Sequence, residues 1–224
     1  MVSPENIQAV MKILKREAPK FVTPALTKIA RHKDPFKVLI SCILSLRTKD
    51  EVTAEAARRL YSLAKTPEEM SNLSVRKIAK AIYPVGFYKT KAKRIKEICS
   101  RLINEFNSKV PSDFDVLLTF KGVGRKTANI VMIYAFGKRG YIAIDTHCNR
   151  IPNRLGWVNT KTPEKTEEAL KKILPKRYWK DFNNLFVQFG QNICRPVGPK
   201  CSICPVNRYC KYYKEVYLTG KKVI

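Results

Sequence analysis

No convincing stretch of the 224-residue chain alternates apolar and polar residues with a period of two. A half-buried strand shows that alternation, because its successive side chains point to opposite faces of the sheet. Here the apolar residues recur at three- and four-residue spacing, which lays them along one side of a helix. "NIQAVMKILKREA" carries such a stripe. "DPFKVLISCILSL" is apolar on most sides and reads as a buried helix. Asp50 opens "DEVTAEAARRLYSLA", with an acidic first turn and an alanine-rich interior. In "TPEEM", Thr66 stands at the N-cap, Pro67 at the first helical position and Glu69 three residues on, the pattern of a capping box. Ser74 starts "SVRKIAKAIYPVG", which breaks at Pro84 and Gly86. "YKTKAKRIKEICSRLINEFN" is a long helix with Ile95, Ile98, Leu102 and Phe106 on one face. "SDFDVLLTF", "TPEKTEEALKKILP" and "DFNNLFVQFGQNIC" complete the series. The expected fold is all-α, with short loops and no internal repeat.

Charge narrows the partners. Lysine and arginine number 44 against 18 acidic residues, a net charge of +26. Such an excess repels itself and stabilises no fold, but it attracts a polyanion. Nucleic acid is the leading partner and an anionic membrane surface the second. No apolar run reaches the ~18 residues of a membrane-spanning helix, and the N-terminal "MVSPENIQAV" lacks the pattern of a secretory signal. An intracellular, cytoplasmic location associated with the nucleoid is therefore expected.

"KGVGRKTANIV", residues 121–131, reads as a tight turn leading into a helix. Gly122 and Gly124 permit positive φ and let a ligand approach the backbone. The helix that follows starts with free N–H groups and a positive dipole end, an arrangement suited to a phosphate. The P-loop pattern is absent, and Thr127 occupies the third glycine position of G-x-G-x-x-G. A phosphodiester backbone therefore fits better than a nucleotide cofactor. Local sequence alone fits a turn whose glycines serve packing equally well; the net charge favours phosphate. Lys126 lies at the end of this helix that penalises cations, with Lys121 and Arg125 nearby. Both influences favour a neutral amine, the form that attacks carbonyl-type carbons to make a Schiff base. In "AIDTHCNRI", Asp145 reads as a helix N-cap, a role that leaves its carboxylate able to move a proton. His147 and Cys148 lack partners at metal spacing and read as packing residues.

Seven cysteines without a signal peptide argue against a disulfide framework. Four of them, Cys194, Cys201, Cys204 and Cys210, follow the spacing C-x6-C-x2-C-x5-C. Four thiols so crowded specify a metal centre, and their number suits zinc and iron–sulfur equally. Arg195, Lys200, Arg208 and Lys211 surround them, placed to offset thiolate charge or to contact phosphates.

With "LISCILSLRTKD", "VGFYKTKAKRI", "GVGRKTANIV", "AIDTHCNRI" and the cysteine spacing in this order, the chain resembles the endonuclease III family of helix–hairpin–helix DNA glycosylases and abasic-site lyases over nearly its whole length. The resemblance implies two helical lobes, a six-helix barrel of residues 28–138 and a second lobe of 1–27 with 139–224. It also implies a [4Fe-4S] cluster on the four cysteines. Lys126 aligns with the Schiff-base lysine and Asp145 with the catalytic aspartate. The expected partner of this monomer is double-stranded DNA carrying damaged bases or abasic sites. The hairpin Lys121, Gly122, Val123, Gly124 and Arg125 would grip its backbone, the glycine–valine–glycine run through main-chain N–H groups, helped by Arg195 and Lys200. Phe87 falls where a side chain wedges into the duplex; a core aromatic is the equal alternative. Arg47 stands where many relatives have a glutamine that fills the gap left by the extruded base, and Lys121 replaces the usual hairpin proline.

The resemblance implies removal of oxidised pyrimidines and strand cleavage by β-elimination. A monofunctional thymine or adenine mismatch glycosylase is one rival, disfavoured because those relatives generally lack the lysine. The other is a non-catalytic DNA-binding protein with a structural zinc site, which leaves Lys126 and Asp145 without a purpose. The run from Arg76 to Arg101 holds nine cations and one acid, with Tyr83, Phe87 and Tyr88 interleaved, and is expected to line the DNA cleft in part.

Overall fold

In the computed structural model, which describes residues 4–30 and 33–220, every regular element is helical. In chain order the α-helices are α1 (Pro4–Glu17), α2 (Ala25–Ala30), α3 (Pro35–Ser45), α4 (Asp50–Leu63), α5 (Pro67–Asn72) and α6 (Val75–Ile82). There follow α7 (Tyr88–Phe106), α8 (Phe114–Leu118), α9 (Arg125–Ile130), α10 (Thr146–Leu155), α11 (Pro163–Ile173) and α12 (Trp179–Asn192). The all-α expectation holds.

Local chemistry sets most of the helix starts. Asp34, Thr66, Ser74, Asp113, Asp145 and Thr162 each accept the backbone N–H three residues ahead, at 2.8–3.3 Å. Each cap contributes about 1 kcal/mol by satisfying a donor the helix leaves orphaned. The expected capping box at Thr66 closes one residue early: Glu69 accepts the N–H of Lys65 (2.6 Å) rather than that of Thr66. After Ile130 the helix continues as a wider π turn through Val131–Ala135, where the sequence reads as an unbroken α-helix. Residues Thr127 to Ile133 are all buried, so packing on every side rather than local propensity sets the pitch here.

The chain divides into two compact units, Pro24–Arg139 and the combination of Met1–Thr23 with Gly140–Ile224. The first is built around α3. Eight residues of this helix, Phe36 and Val38 to Leu44, are buried on all its sides, and α2, α4, α7 and α9 pack against it. Leu60, Ile82, Ile95 and Leu102 complete its core at 0% exposure. In the second unit α12 is the centre, packed by α1 and α10. Phe182 and Phe186 stack at 4.1 Å between ring centroids, beside Met11, Ile151 and Trp157. No helix among the described residues is long and apolar enough to cross a membrane.

Candidate active site and thiol cluster

The turn between α8 and α9 presents its backbone outward. Gly122 adopts φ +86°, a conformation costly for other residues, and a side chain there would meet Arg94 at 3.3 Å. Val123 folds its side chain inward, 5% exposed, and donates its N–H to the Phe120 carbonyl (2.9 Å). That internal bond removes the Val123 N–H from those expected to hold a phosphate. Gly124 differs from the expectation in another way. Its φ is −98°, which any residue adopts, and a Cβ there would meet nothing within 4 Å. Neither strain nor packing calls for glycine at 124, so its bareness leaves open the space before the α9 N-terminus. No side chain caps that terminus.

Lys126 stands in the first turn of α9, half-buried, with no hydrogen bond or ion pair among the described residues. Cys42 and Asp50 both feel its charge. Burial pushes the Cys42 thiol up to about 12, and the nearby ammonium opposes this. Burial also holds the Asp50 carboxyl above its ordinary range; the Ala25 N–H (2.6 Å) and the charges of Lys28 and Lys126 pull the other way. Lys121 and Arg125 are exposed, and the Arg125 guanidinium lies 5.3 Å from the centroid of the Phe114 ring.

Two other predicted site residues lie together in the same unit. Arg47 and Phe87 are both exposed and both left-handed, at φ 51° and 57°. Their side chains meet, guanidinium to ring centroid 5.9 Å. Phe87 is 64% exposed, which overturns the alternative of a core aromatic. The basic run around it is less available than its composition implies. Lys91 is buried, Arg94 pairs with Glu97 (2.7 Å), Lys96 donates to the Ser71 carbonyl, and Arg101 pairs with Glu105 (2.8 Å). Those four cations serve the fold; Arg76, Lys77, Lys80, Lys89 and Lys93 remain exposed.

Asp145 belongs to the other unit and caps α10 through the Cys148 N–H (2.8 Å). His147 and Cys148 are packing residues, as expected. Cys148 is fully buried against Asn183, and the His147 ring fills the place where a Gly190 side chain would stand, 2.2 Å from the missing Cβ.

Cys194, Cys201, Cys204 and Cys210 line one cavity with Leu155 and Phe189. Burial first, then the repulsion of neighbouring thiolates, raises the Cys201, Cys204 and Cys210 thiols, Cys204 to about 12. Burial thus disfavours the thiolate form of these three, and a bound cation would favour it. Sequence reading missed the residue that organises this loop. Arg154 donates to the Cys194 sulfur (3.5 Å) and to the carbonyls of Arg195 (2.6 Å) and Pro196 (2.8 Å), while its own carbonyl accepts from Cys210 (3.3 Å). Arg150, four residues earlier, donates to the Cys194 carbonyl (2.7 Å). Two arginines one helical turn apart on α10 were the available signal. Arg195 and Lys200 are exposed beside the cavity.

The class follows from a helix–turn–helix with an unpaired lysine, joined in one chain to a four-thiol loop. Residues 40–176 match the HhH-GPD superfamily base excision DNA repair protein family, and the chain belongs to it, within its endonuclease III branch. Endonuclease III of Thermotoga maritima is 45% identical over 185 residues, covering 83% of this chain and 86% of that protein. A solved non-covalent endonuclease III–DNA complex superposes with a TM-score of 0.87 at 31% identity, covering 99% of this chain and 100% of that one. A trapped endonuclease III–DNA covalent intermediate gives 0.83 at 30% identity, covering 96% and 98%.

Proposed function

We infer that this protein is a DNA glycosylase and abasic-site lyase of base excision repair, acting on oxidised pyrimidines in double-stranded DNA. The observation that carries this reading is the half-buried, unpaired Lys126 in the first turn of a helix whose N-terminal approach Gly124 leaves open. A phosphodiester held at that N-terminus brings a deoxyribose to the amine. The damaged nucleotide must first leave the stack, because its sugar carbon is unreachable inside the duplex. Arg47 and Phe87 enter the space it vacates. The Lys126 amine then bonds to C1′ as the C1′–N bond to the base breaks, and the base leaves with a proton. Loss of the amine proton and opening of the sugar ring give an imine. The imine acidifies C2′; removal of a C2′ proton expels the 3′ phosphate and cuts the strand. Asp145 takes the role of proton carrier and of counter-charge to the developing cation.

The four cysteines fit a [4Fe-4S] cluster, which members of the endonuclease III family bind. Four thiols lining one cavity suit zinc and a polynuclear group alike; family membership is what supports the cluster, which would tie together the loop carrying Arg195 and Lys200.

Borohydride reduction during reaction with abasic-site DNA tests the reading. Wild type is expected to become covalently attached and Lys126→Ala to escape. Full attachment of the alanine variant would remove Lys126 as the nucleophile. A panel of duplexes with oxidised pyrimidines, oxidised purines and mismatches then assigns the substrate.

A further inference from the structure

Two exposed side chains in strained backbone call for something that holds them. Left-handed Arg47 and Phe87 come from different segments, the α3–α4 link and the start of α7. Bulky non-glycine residues stay in that conformation only when their surroundings over-determine it. The surroundings here converge on one buried cation. Lys91, 7% exposed, donates from its ammonium to the carbonyls of Leu44 (2.8 Å) and Leu46 and to the Thr48 hydroxyl (3.1 Å). Leu46 and Thr48 are the two neighbours of Arg47. The Thr48 hydroxyl in turn accepts the N–H of Gly86 (3.2 Å), the neighbour of Phe87. Lys91 also donates its own backbone N–H to the Phe87 carbonyl (3.0 Å). The two segments touch directly: a Cβ on Gly86 would lie 2.6 Å from the Arg47 carbonyl oxygen.

Capping the C-terminus of α3 accounts for the bonds to Leu44 and to Leu46, the residue that closes the helix. It does not account for the bond to the Thr48 hydroxyl, which ties this turn to Gly86. Nor does it explain a lysine buried where desolvation lowers its pKa to about 8.

We propose that Lys91 is a positioning residue for base extrusion, holding Arg47 and Phe87 as a preformed pair that enters the duplex at the lesion. It touches no substrate itself. The pair is assembled before DNA arrives, so its ordering cost falls on folding rather than on binding. The proposal rests on the glycosylase reading above.

Lys91→Met, close in shape but without donors, and Thr48→Val, which removes the hydroxyl at the centre of the network, test it. Single-turnover excision from duplex DNA is expected to fall roughly ten- to a hundredfold in both, the scale of a misplaced reacting geometry. Cleavage at an abasic site in single-stranded DNA, which has no stack to open, is expected to change less than about twofold. A 2-aminopurine placed opposite the lesion is expected to brighten on wild-type binding and less so with either variant. Unchanged duplex excision in both variants overturns the proposal, as does equal loss on the two substrates in both, which marks a general structural role. A wild type that cleaves neither substrate sinks the glycosylase reading instead.

Discussion

Gly86 shows how little room the site leaves at single residues. It is not left-handed, so its demand for glycine comes from contact: an added methyl would overlap the Arg47 carbonyl at 2.6 Å, and backbone cannot swing aside as a side-chain end can. Gly86→Ala is expected to cost about 1–3 kcal/mol, measured by chemical denaturation. Asp50 makes a prediction in pH. Its folded pKa is raised chiefly by burial, so the charged form is the less stable one in the fold. The contribution is therefore favourable while the carboxyl is protonated and is lost as pH rises through the folded pKa. Asp50→Asn, which still accepts the Ala25 N–H, is expected to melt higher than wild type at pH 7, the gap closing near pH 4. Thermal unfolding at the two pH values checks it; a gap that widens on acidification contradicts the assignment of burial as the dominant cause.

At the scale of elements, α10 separates two roles of Asp145. As an N-cap it satisfies the Cys148 N–H, and asparagine caps about as well. Asp145→Asn is therefore expected to keep the melting temperature while slowing base release about 10²- to 10⁴-fold, the range for losing a proton carrier. Asp145→Ala adds about 1 kcal/mol of lost stability. Single-turnover kinetics beside thermal melts distinguish the cases, and full activity in the asparagine variant would reduce Asp145 to a cap. The contrast with α9 is instructive. Its N-terminus lacks a side-chain cap and has open space before it, as the phosphate contact proposed above requires.

For the molecule as a whole, the excess of 26 positive charges predicts steep salt dependence. The logarithm of DNA affinity should fall linearly with the logarithm of salt, by about 0.9 per phosphate neutralised. Lys121→Ala, removing an exposed cation beside the hairpin, is expected to lower that slope by about one if it meets a phosphate. Lys96→Ala, whose amine serves the Ser71 carbonyl, is expected to leave the slope unchanged. Titrations at several salt concentrations read both. On the cluster proposed above, Cys204→Ala is expected to abolish iron content and to make residues 140–224 the first part cut by limited proteolysis, because the loop would then lose the group that offsets its buried thiols. Iron retained at the wild-type level would show that Cys204 is not a ligand.

What a reader could take from the sequence was whatever depends on neighbours along the chain. The three- and four-residue apolar period, the helix starts at Thr66, Ser74 and Asp145 and the four-cysteine spacing are of this kind, and the helical architecture followed from them. The count of cations was also plain, but their use was not. Lys91 serves carbonyls up to 47 residues away, and Arg154 organises a thiol loop some 40 residues on. Phe87 reads equally as wedge or core until its exposure is seen, and only the folded chain shows that glycine at 124 is required by neither strain nor packing. Burial, partner choice and open volume are set by residues distant in sequence, so the tertiary structure alone decided which charges support the fold and which stay exposed to solvent.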